Sequence, residues 1–472
     1  MSAMLLILVI FGYACCSLIV PCNINRFFKA IWSLFFAICT FKFLIYADTG
    51  TLTYPHFRPA QVLLIEMLFN TLLLCVVMAI IKDLILLILY ILNKLEVIKI
   101  RRFYQELPNI AICIVAVTIA MVGTFSQTQT PKLKEQEIYL THLPQEFDGY
   151  KIVQISDLHM GPVLRRYFLN NIITRINGVN PDLIALTGDY ADGLFDVRKD
   201  DFDPLAMMFS KDGMLAVTGE HDYFVDYSEW EHYFKELGIT FLRNESVILK
   251  RGHHSLKITG IPDSYGYEHE LDDPPRLLLA NFNIIDYNYK PERVTFGQTQ
   301  ANSYINNGLF DYDMLMINLK KINQCVNEAW LTSFYDIQHR RISLNKHESS
   351  FTDVQILLSH KPAIANNPDV TADLILSGHT HGGVTIFLQP LFAYFNGGYV
   401  SGLYQVDEDT QLYVSNGTGI WSAFSCRILV PSEITLITLR TGTPPTKQNR
   451  FLVKHSTSAG STTASTNMRQ AH

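Results

Sequence analysis

Two kinds of apolar run divide the chain. In the first quarter they are long: residues 4–20 and 108–125 carry no charged side chain, residues 30–47 carry only Lys42, and residues 60–81 carry only Glu66. Each approaches the ~20 residues needed to cross hydrocarbon, so four spans are predicted near 4–20, 30–47, 60–81 and 108–125. The third pattern runs on to Leu92, broken mainly by Lys82 and Asp83. A single helix of that length reaches about 50 Å, so its second half is expected to leave the membrane. Beyond residue 126 the runs shorten to four or five residues rich in Leu and β-branched side chains, bounded by Gly and polar residues, which is the pattern of buried strands.

Five of the short runs end abruptly in metal-binding side chains: IVQISDLH at His159, LIALTGDYAD at Asp192, MLAVTGEHD at Asp222, ILLSH at His360 and LILSGHTH at His381. Open α/β sheets gather their sites at the carboxyl ends of strands. Asp157, His159, Asp189, Glu220, His360, His379 and His381 are therefore expected on one rim, with oxygen and nitrogen ligands and no Cys. That set suffices for two divalent cations. One such motif arises by chance in many chains; five in series with the same ligand chemistry predict a binuclear site.

The ordered set Asp157-x-His159, Gly188-Asp189-x-x-Asp192, Gly219-Glu220-His221-Asp222, His360 and Gly378-His379-Thr380-His381 resembles the calcineurin-like metallophosphoesterases. FDGYKIVQISDLHMGP, NPDLIALTGDYADG and NGTGIWSAFSCRILVPSEITLITL, behind a multi-span N-terminus, resemble the membrane-anchored branch of that family. The likeness runs from 139 to 441, interrupted between 264 and 310. It implies an α/β fold, a four-layer αββα sandwich preceded by an N-terminal bundle of transmembrane helices. It also implies that Asp157, His159 and His381 hold one metal, that Glu220, His360 and His379 hold the other, and that Asp189 bridges them. Hydrolysis of a phosphoester by a metal-bridging hydroxide follows, with His221 protonating the leaving oxygen and Asp222 orienting its imidazole. Ligands without thiolate suit Mn, Fe or Zn, and the sequence does not choose among them.

Glu220 departs from the family's usual Asn. With Asp157, Asp189 and Glu220 as anionic ligands, two divalent ions keep a formal charge of 4 − 3 = +1, where Asn leaves +2. A metal-binding pseudoenzyme or scaffold is the alternative reading, but retention of His221 and Asp222, which metal holding does not require, favours a hydrolase. The substrate class leans to a phosphodiester, because two metals grip a singly charged phosphoryl group without a large basic pocket. A lipid-linked ester, such as a glycolipid anchor, is the specific alternative.

Composition adds less. Of 472 residues 48% are hydrophobic, high for a wholly soluble protein, and the formal net charge of −6 gives no electrostatic footprint for nucleic acid. The expected organisation is a transmembrane region over 1–126, a polar linker over 127–148, a catalytic domain over 149–441 with an inserted loop near 264–310 beside the site, and a Ser/Thr-rich disordered tail over 442–472. YSEWEHYFKELG reads as an amphipathic helix whose Trp230, Phe234 and Leu237 face the core. The first span has no Lys or Arg in Met1–Met4 and reads as uncleaved. Arg26, Lys29, Lys94, Lys99, Arg101 and Arg102 collect on one side of the four spans. The positive-inside rule makes that side cytoplasmic and the catalytic domain extracellular or lumenal. Asn244-Glu245-Ser246 is a glycosylation sequon expected on a surface loop. Cys325 and Cys426 permit one disulfide, and the other six Cys read as packing residues of the spans.

Overall fold

The computed structural model describes residues 2–48, 54–99, 106–273, 283–285, 353–420, 425–444 and 451–452. Most of the expected insertion and tail, and Cys325, lie outside these residues. The chain opens with α1 (Ser2–Ala14), α2 (Arg26–Thr40), α3 (Lys42–Asp48), α4 (Pro59–Lys94) and α5 (Glu106–Ser126). Asn25 starts α2 by accepting the Phe27 N–H, and Pro59 starts α4, where its missing N–H costs nothing. Among the described residues three stretches, Arg26–Tyr46, Pro59–Lys94 and Glu106–Ser126, are long and apolar enough to cross a membrane. The first predicted span is shorter: its apolar helix covers Leu5–Ile19, about 22 Å, and stops ahead of Pro21, which cannot continue it.

Small and apolar side chains knit these helices together, among them Ala14, Leu18, Phe36, Cys39, Leu72, Cys75, Ala79 and Ala116. The two charges that interrupted the predicted spans meet inside the bundle. Lys42 Nζ lies 2.7 Å from Glu66 Oε2, the Tyr46 hydroxyl donates to Glu66 Oε1 at 2.8 Å, and both charged side chains are buried. Lys42→Met is therefore expected to strand a buried carboxylate and cost about 3–5 kcal/mol. Thermal unfolding in detergent should show the loss, with most of it recovered in Lys42→Met/Glu66→Leu; a neutral single variant would mean that the pair is not sequestered.

Next come β1 (Lys132–Leu140), β2 (Lys151–Ile155), α6 (Arg166–Gly178), β3 (Leu183–Thr187), α7 (Phe195–Phe202), β4 (Met214–Val217), α8 (Tyr227–Glu236), β5 (Ile239–Phe241), β6 (Glu245–Arg251), β7 (His254–Gly260) and α9 (Ser264–Glu268). They are followed by β8 (Asn283–Ile284), β9 (Val354–Leu358), β10 (Leu374–Ser377), α10 (Gln389–Phe395), β11 (Gly402–Gln405), β12 (Gln411–Val414), β13 (Glu433–Thr441) and β14 (Phe451–Leu452). Among the described residues these strands form two sheets, ordered β1-β13-β2-β3-β4-β5 and β14-β11-β12-β10-β9-β7-β6-β8. The runs β2 to β5 and β7-β9-β10-β12 are parallel, so their carboxyl ends point one way within each sheet.

The sheets pack face to face through Ile152, Leu183 and Leu215 on one side and Ile258, Ile356 and Leu374 on the other. Helices α6, α7 and α8 cover the outer face of the first sheet, where Trp230 and Phe234 are buried as their spacing predicts. This double cover explains why β3 is buried at every position and reads as an unbroken apolar run. The outer face of the second sheet is covered among the described residues by the turn Pro362–Asn366 and by Tyr399.

Two expectations need correction. Within the predicted linker, β1 pairs in parallel with β13 along its whole length. Only Ile138 and Leu140 of KLKEQEIYL are buried, so this edge strand carries too many charges to look like one. Asn244, expected on the surface, is buried and donates to the Asp273 carbonyl. Asn416, which begins a further sequon, Asn416-Gly417-Thr418, is buried too, held by Ser401 and Pro431.

Candidate metal centre

The candidate residues lie just past the ends of β2, β3, β4, β9 and β10, as their sequence positions predict. Their loops adopt backbone that L-residues avoid. φ is +54° at Asp157, +42° at His159, +58° at Asp189, +69° at His379 and +49° at His381. Such residues cost about 1–3 kcal/mol each and persist only where surrounding structure over-determines them. Here the bracing is visible. The Asp157 carboxylate accepts the His379 N–H at 3.0 Å, and the Asp222 carboxylate accepts the N–H groups of Asp189, Tyr190 and Gly219 at 2.8–2.9 Å. A Cβ at Gly219 would run into the Asp189 carboxylate, which explains the glycine ahead of Glu220.

At the centre sits Asp189. Its Oδ2 is 3.2 Å from His360 Nε2 and 3.6 Å from His159 Nε2, while Oδ1 accepts the His221 N–H at 2.9 Å. His381 Nε2 is 3.2 Å from His159 Nε2 and 3.4 Å from Asp157 Oδ1. Three overlapping groups have ligand atoms within 4.8 Å of one another: Asp157, His159 and His381; Asp157, Asp189 and His360; His159, Asp189 and His221. Glu220 and His379 flank this cluster more loosely. His379 Nδ1 is 4.0 Å from Glu220 Oε1, and Glu220 Oε2 turns to Lys361 Nζ at 3.1 Å.

The donor set fits cations. His360 Nδ1 is 2.7 Å from the Thr187 carbonyl oxygen, so that nitrogen carries the proton and Nε2 keeps its lone pair when the ring is neutral. Nε2 is buried and makes no hydrogen bond, although Asp189 Oδ2 is only 3.2 Å away. A lone pair facing a carboxylate oxygen calls for positive charge between them. His159 repeats the arrangement: its Nδ1 is held by Asp192 Oδ2 at 3.2 Å, and its Nε2 faces Asp189 and His381.

Electrostatics agree. Burial opposes charge on Asp189, but His360, His221 and His159 outweigh it and hold the carboxyl well below the usual range. Burial likewise opposes a charged His360, yet Asp189 pulls that imidazole well above its ordinary value. His379 falls to about 4, through burial and the neighbouring His360.

Three side chains without an assigned sequence role shape the site. His221 Nδ1 lies 2.7 Å from Asp192 Oδ1, so Asp192 orients this imidazole, while Asp222, expected to do so, pins backbone instead. The signal was present in Gly188-Asp189-x-x-Asp192, but spacing alone does not reveal which carboxylate faces which ring. Lys361 bridges Glu220 and Asp263, at 3.1 Å from each. Arg427 is buried and donates to the carbonyls of Asn416, Gly419 and His381 at 2.8, 2.7 and 3.2 Å, tying the turn after β12 to the turn that carries His381.

Comparison with known proteins bears on the same residues. The profile of the calcineurin-like phosphoesterase family matches residues 150–383. Zebrafish (Danio rerio) transmembrane protein with metallophosphoesterase domain is 27% identical over 336 residues, 69% of this chain and 61% of the relative. Its Bos taurus counterpart is 28% identical over 340 residues, 71% and 62% of the two chains. An uncharacterized metallophosphoesterase of Campylobacter jejuni is 27% identical over 333 residues, 70% and 69%. The match thus spans about three fifths of the length of the two vertebrate relatives. Residues 150–383 of the chain thus match the calcineurin-like phosphoesterase family.

Proposed function

We propose that this protein is a membrane-anchored hydrolase of phosphoesters, preferring diesters, that works with two divalent metal ions. One observation carries the reading: the Asp189 carboxylate faces the unbonded Nε2 of His360 and the Nε2 of His159, with His221 and Asp192 against the same cluster. Asp157, His159 and His381 would hold one ion and Glu220, His360 and His379 the other, with Asp189 between the two sets. When bound, the pair of ions neutralises phosphoryl charge and makes water acidic enough to supply a nucleophile near neutral pH. The chain's own part is to fix the ligands and to move a proton. His221, held by Asp192, is placed to donate from Nε2 to the departing oxygen.

Purified full-length protein in detergent should hydrolyse bis(4-nitrophenyl) phosphate only when Mn, Fe or Zn is supplied. No turnover with any of the three would leave the pseudoenzyme reading standing.

Glu220 sets a finer expectation. Asn at this position leaves Lys361 paired with Asp263 and makes the centre one unit more positive. Glu220→Asn should retain both metals and quicken the chemical step, by roughly two- to tenfold because Lys361 already screens part of the carboxylate. Single-turnover rates at full metal occupancy decide it; a slower step would make Glu220 a base or a substrate contact.

The anchoring helices support a catalytic domain outside the cytosol. Lys42, a positive charge near a span end on the opposite side, is neutralised inside the bundle by Glu66 and so does not offset the basic residues that set the orientation. Protease added outside intact cells, or on the lumenal side of an organelle membrane, should spare the loop 99–105, and cleavage there with the catalytic domain protected would reverse the orientation.

A further inference from the structure

The turn after His381 runs into an apolar surface with nothing packed on it among the described residues. From Gly382 to Val406 the chain holds no charged residue. Within this stretch no side chain of α10 is buried, and Phe387 and Tyr394 are 75% and 80% exposed, alongside Ile386, Leu391 and Phe395. Leu429, 76% exposed, comes from a second segment whose Ile428 bridges to Thr385. A water-facing surface does not gather six large apolar side chains and omit charge along such a length of chain.

Its position in the fold indicates what covers it. Helix α5 has 21 residues, about 32 Å long, close to the ~30 Å of bilayer hydrocarbon, so its end at Ser126 marks a boundary of the apolar layer. The segment that carries Leu429 docks within one turn of that boundary. Arg427 N donates to the Gly123 carbonyl at 3.2 Å, and the Ser425 carbonyl accepts from Asn70 at 3.2 Å and from Gln127 at 3.0 Å. Ile428 in turn exchanges backbone hydrogen bonds with Val384 and Ile386. The exposed Met121, Val122 and Phe125 of α5 lead up to this junction, so one apolar belt continues from the helix onto the catalytic domain.

We propose that Ile386, Phe387, Leu391, Tyr394, Phe395 and Leu429 form a bilayer-seated surface, buried in the boundary between headgroups and acyl chains of the leaflet nearest the catalytic domain. Aromatic and aliphatic side chains on a short, uncharged helix suit that zone. Gln389 Nε2 donates to the Gly382 carbonyl at 3.1 Å, which ties α10 to the turn that positions His381. The metal centre then lies beside the lipid surface, and the substrates it meets first are phosphoesters of lipid headgroups. This last step rests on the phosphoesterase reading, and the seating itself rests on the reading of α4 and α5 as membrane-spanning.

The test is photocrosslinking of the full chain in phosphatidylcholine vesicles, with p-benzoylphenylalanine at Phe387, at Ile88 of α4 or at Tyr167 of α6. Ile88 and Tyr167 are both exposed, the first on the apolar helix and the second on the catalytic domain. Lipid adducts at Phe387 and Ile88 but not at Tyr167 are expected. An adduct at Ile88 without one at Phe387, or a Phe387 adduct to a second protein chain, overturns the surface while leaving the anchor. No adduct at Ile88 removes the anchor and the proposal together. None of these results depends on turnover, so a failed hydrolysis assay separately overturns the enzymatic reading.

Discussion

Asp189→Asn is expected to empty the metal centre and abolish hydrolysis. Its carboxylate reaches toward both halves of the site, 3.2 Å from His360 Nε2 and 3.6 Å from His159 Nε2. The amide keeps the shape but loses the negative charge that offsets two cations, and one of its termini becomes a donor pointed at the ligands. Lewis-acid stabilisation is worth several kcal/mol, so a loss on the order of 10³-fold or more in kcat/KM is expected. Elemental analysis should find fewer than one ion per chain. Two retained ions would mean that Asp189 is not the shared ligand, and full activity with metals absent would sink the metal mechanism altogether. Folding has to be monitored, because Asp189 is buried beside His360, whose imidazole it pulls well above its ordinary value; circular dichroism separates an empty centre from an unfolded one.

How much of this was legible beforehand depends on how far apart the determining contacts are in sequence. The strands β2, β3, β4, β9 and β10 were readable because each is buried on both faces at nearly every position and so becomes a mostly apolar run before its ligand. The ligands' strand-end positions followed from that pattern alone. Edge strand β1 was not readable, since its identity lies in pairing with β13, some 300 positions away, and only two of its residues are buried. The pairing of Lys42 with Glu66 was also hidden: each looked like a defect in a span, and only the packing of α2 and α3 against α4 turns two defects into one neutral pair. The same holds at the site. The family resemblance implied that Asp222 serves His221, but the turn between them sends the Asp222 carboxylate to backbone N–H groups and leaves the ring to Asp192.

That substitution of one carboxylate for another yields the sharpest test of the chemistry. If His221 is the proton donor, His221→Ala should lower the hydrolysis of esters with poor leaving groups by about 10² to 10⁴-fold, and leave 4-nitrophenyl esters nearly untouched with both metals bound. Asp192→Asn should show the same dependence on leaving group, plus a 10- to 100-fold weaker metal affinity, because its second oxygen also braces the ligand His159. Asp222→Asn should perturb backbone around Asp189 with no such dependence. The pH profile has a fixed sign. Burial lowers the His221 pKa, but Asp192 and Asp189 outweigh it and raise it to about 10. The acid form is therefore present at neutral pH and is lost as pH rises through the folded-state value, which nearby cations shift below 10. The rate on poor leaving groups should fall along that alkaline limb, and His221→Ala should remove the fall. Equal losses of His221→Ala on good and poor leaving groups would show that the ring binds the phosphoryl group rather than protonating the departing oxygen.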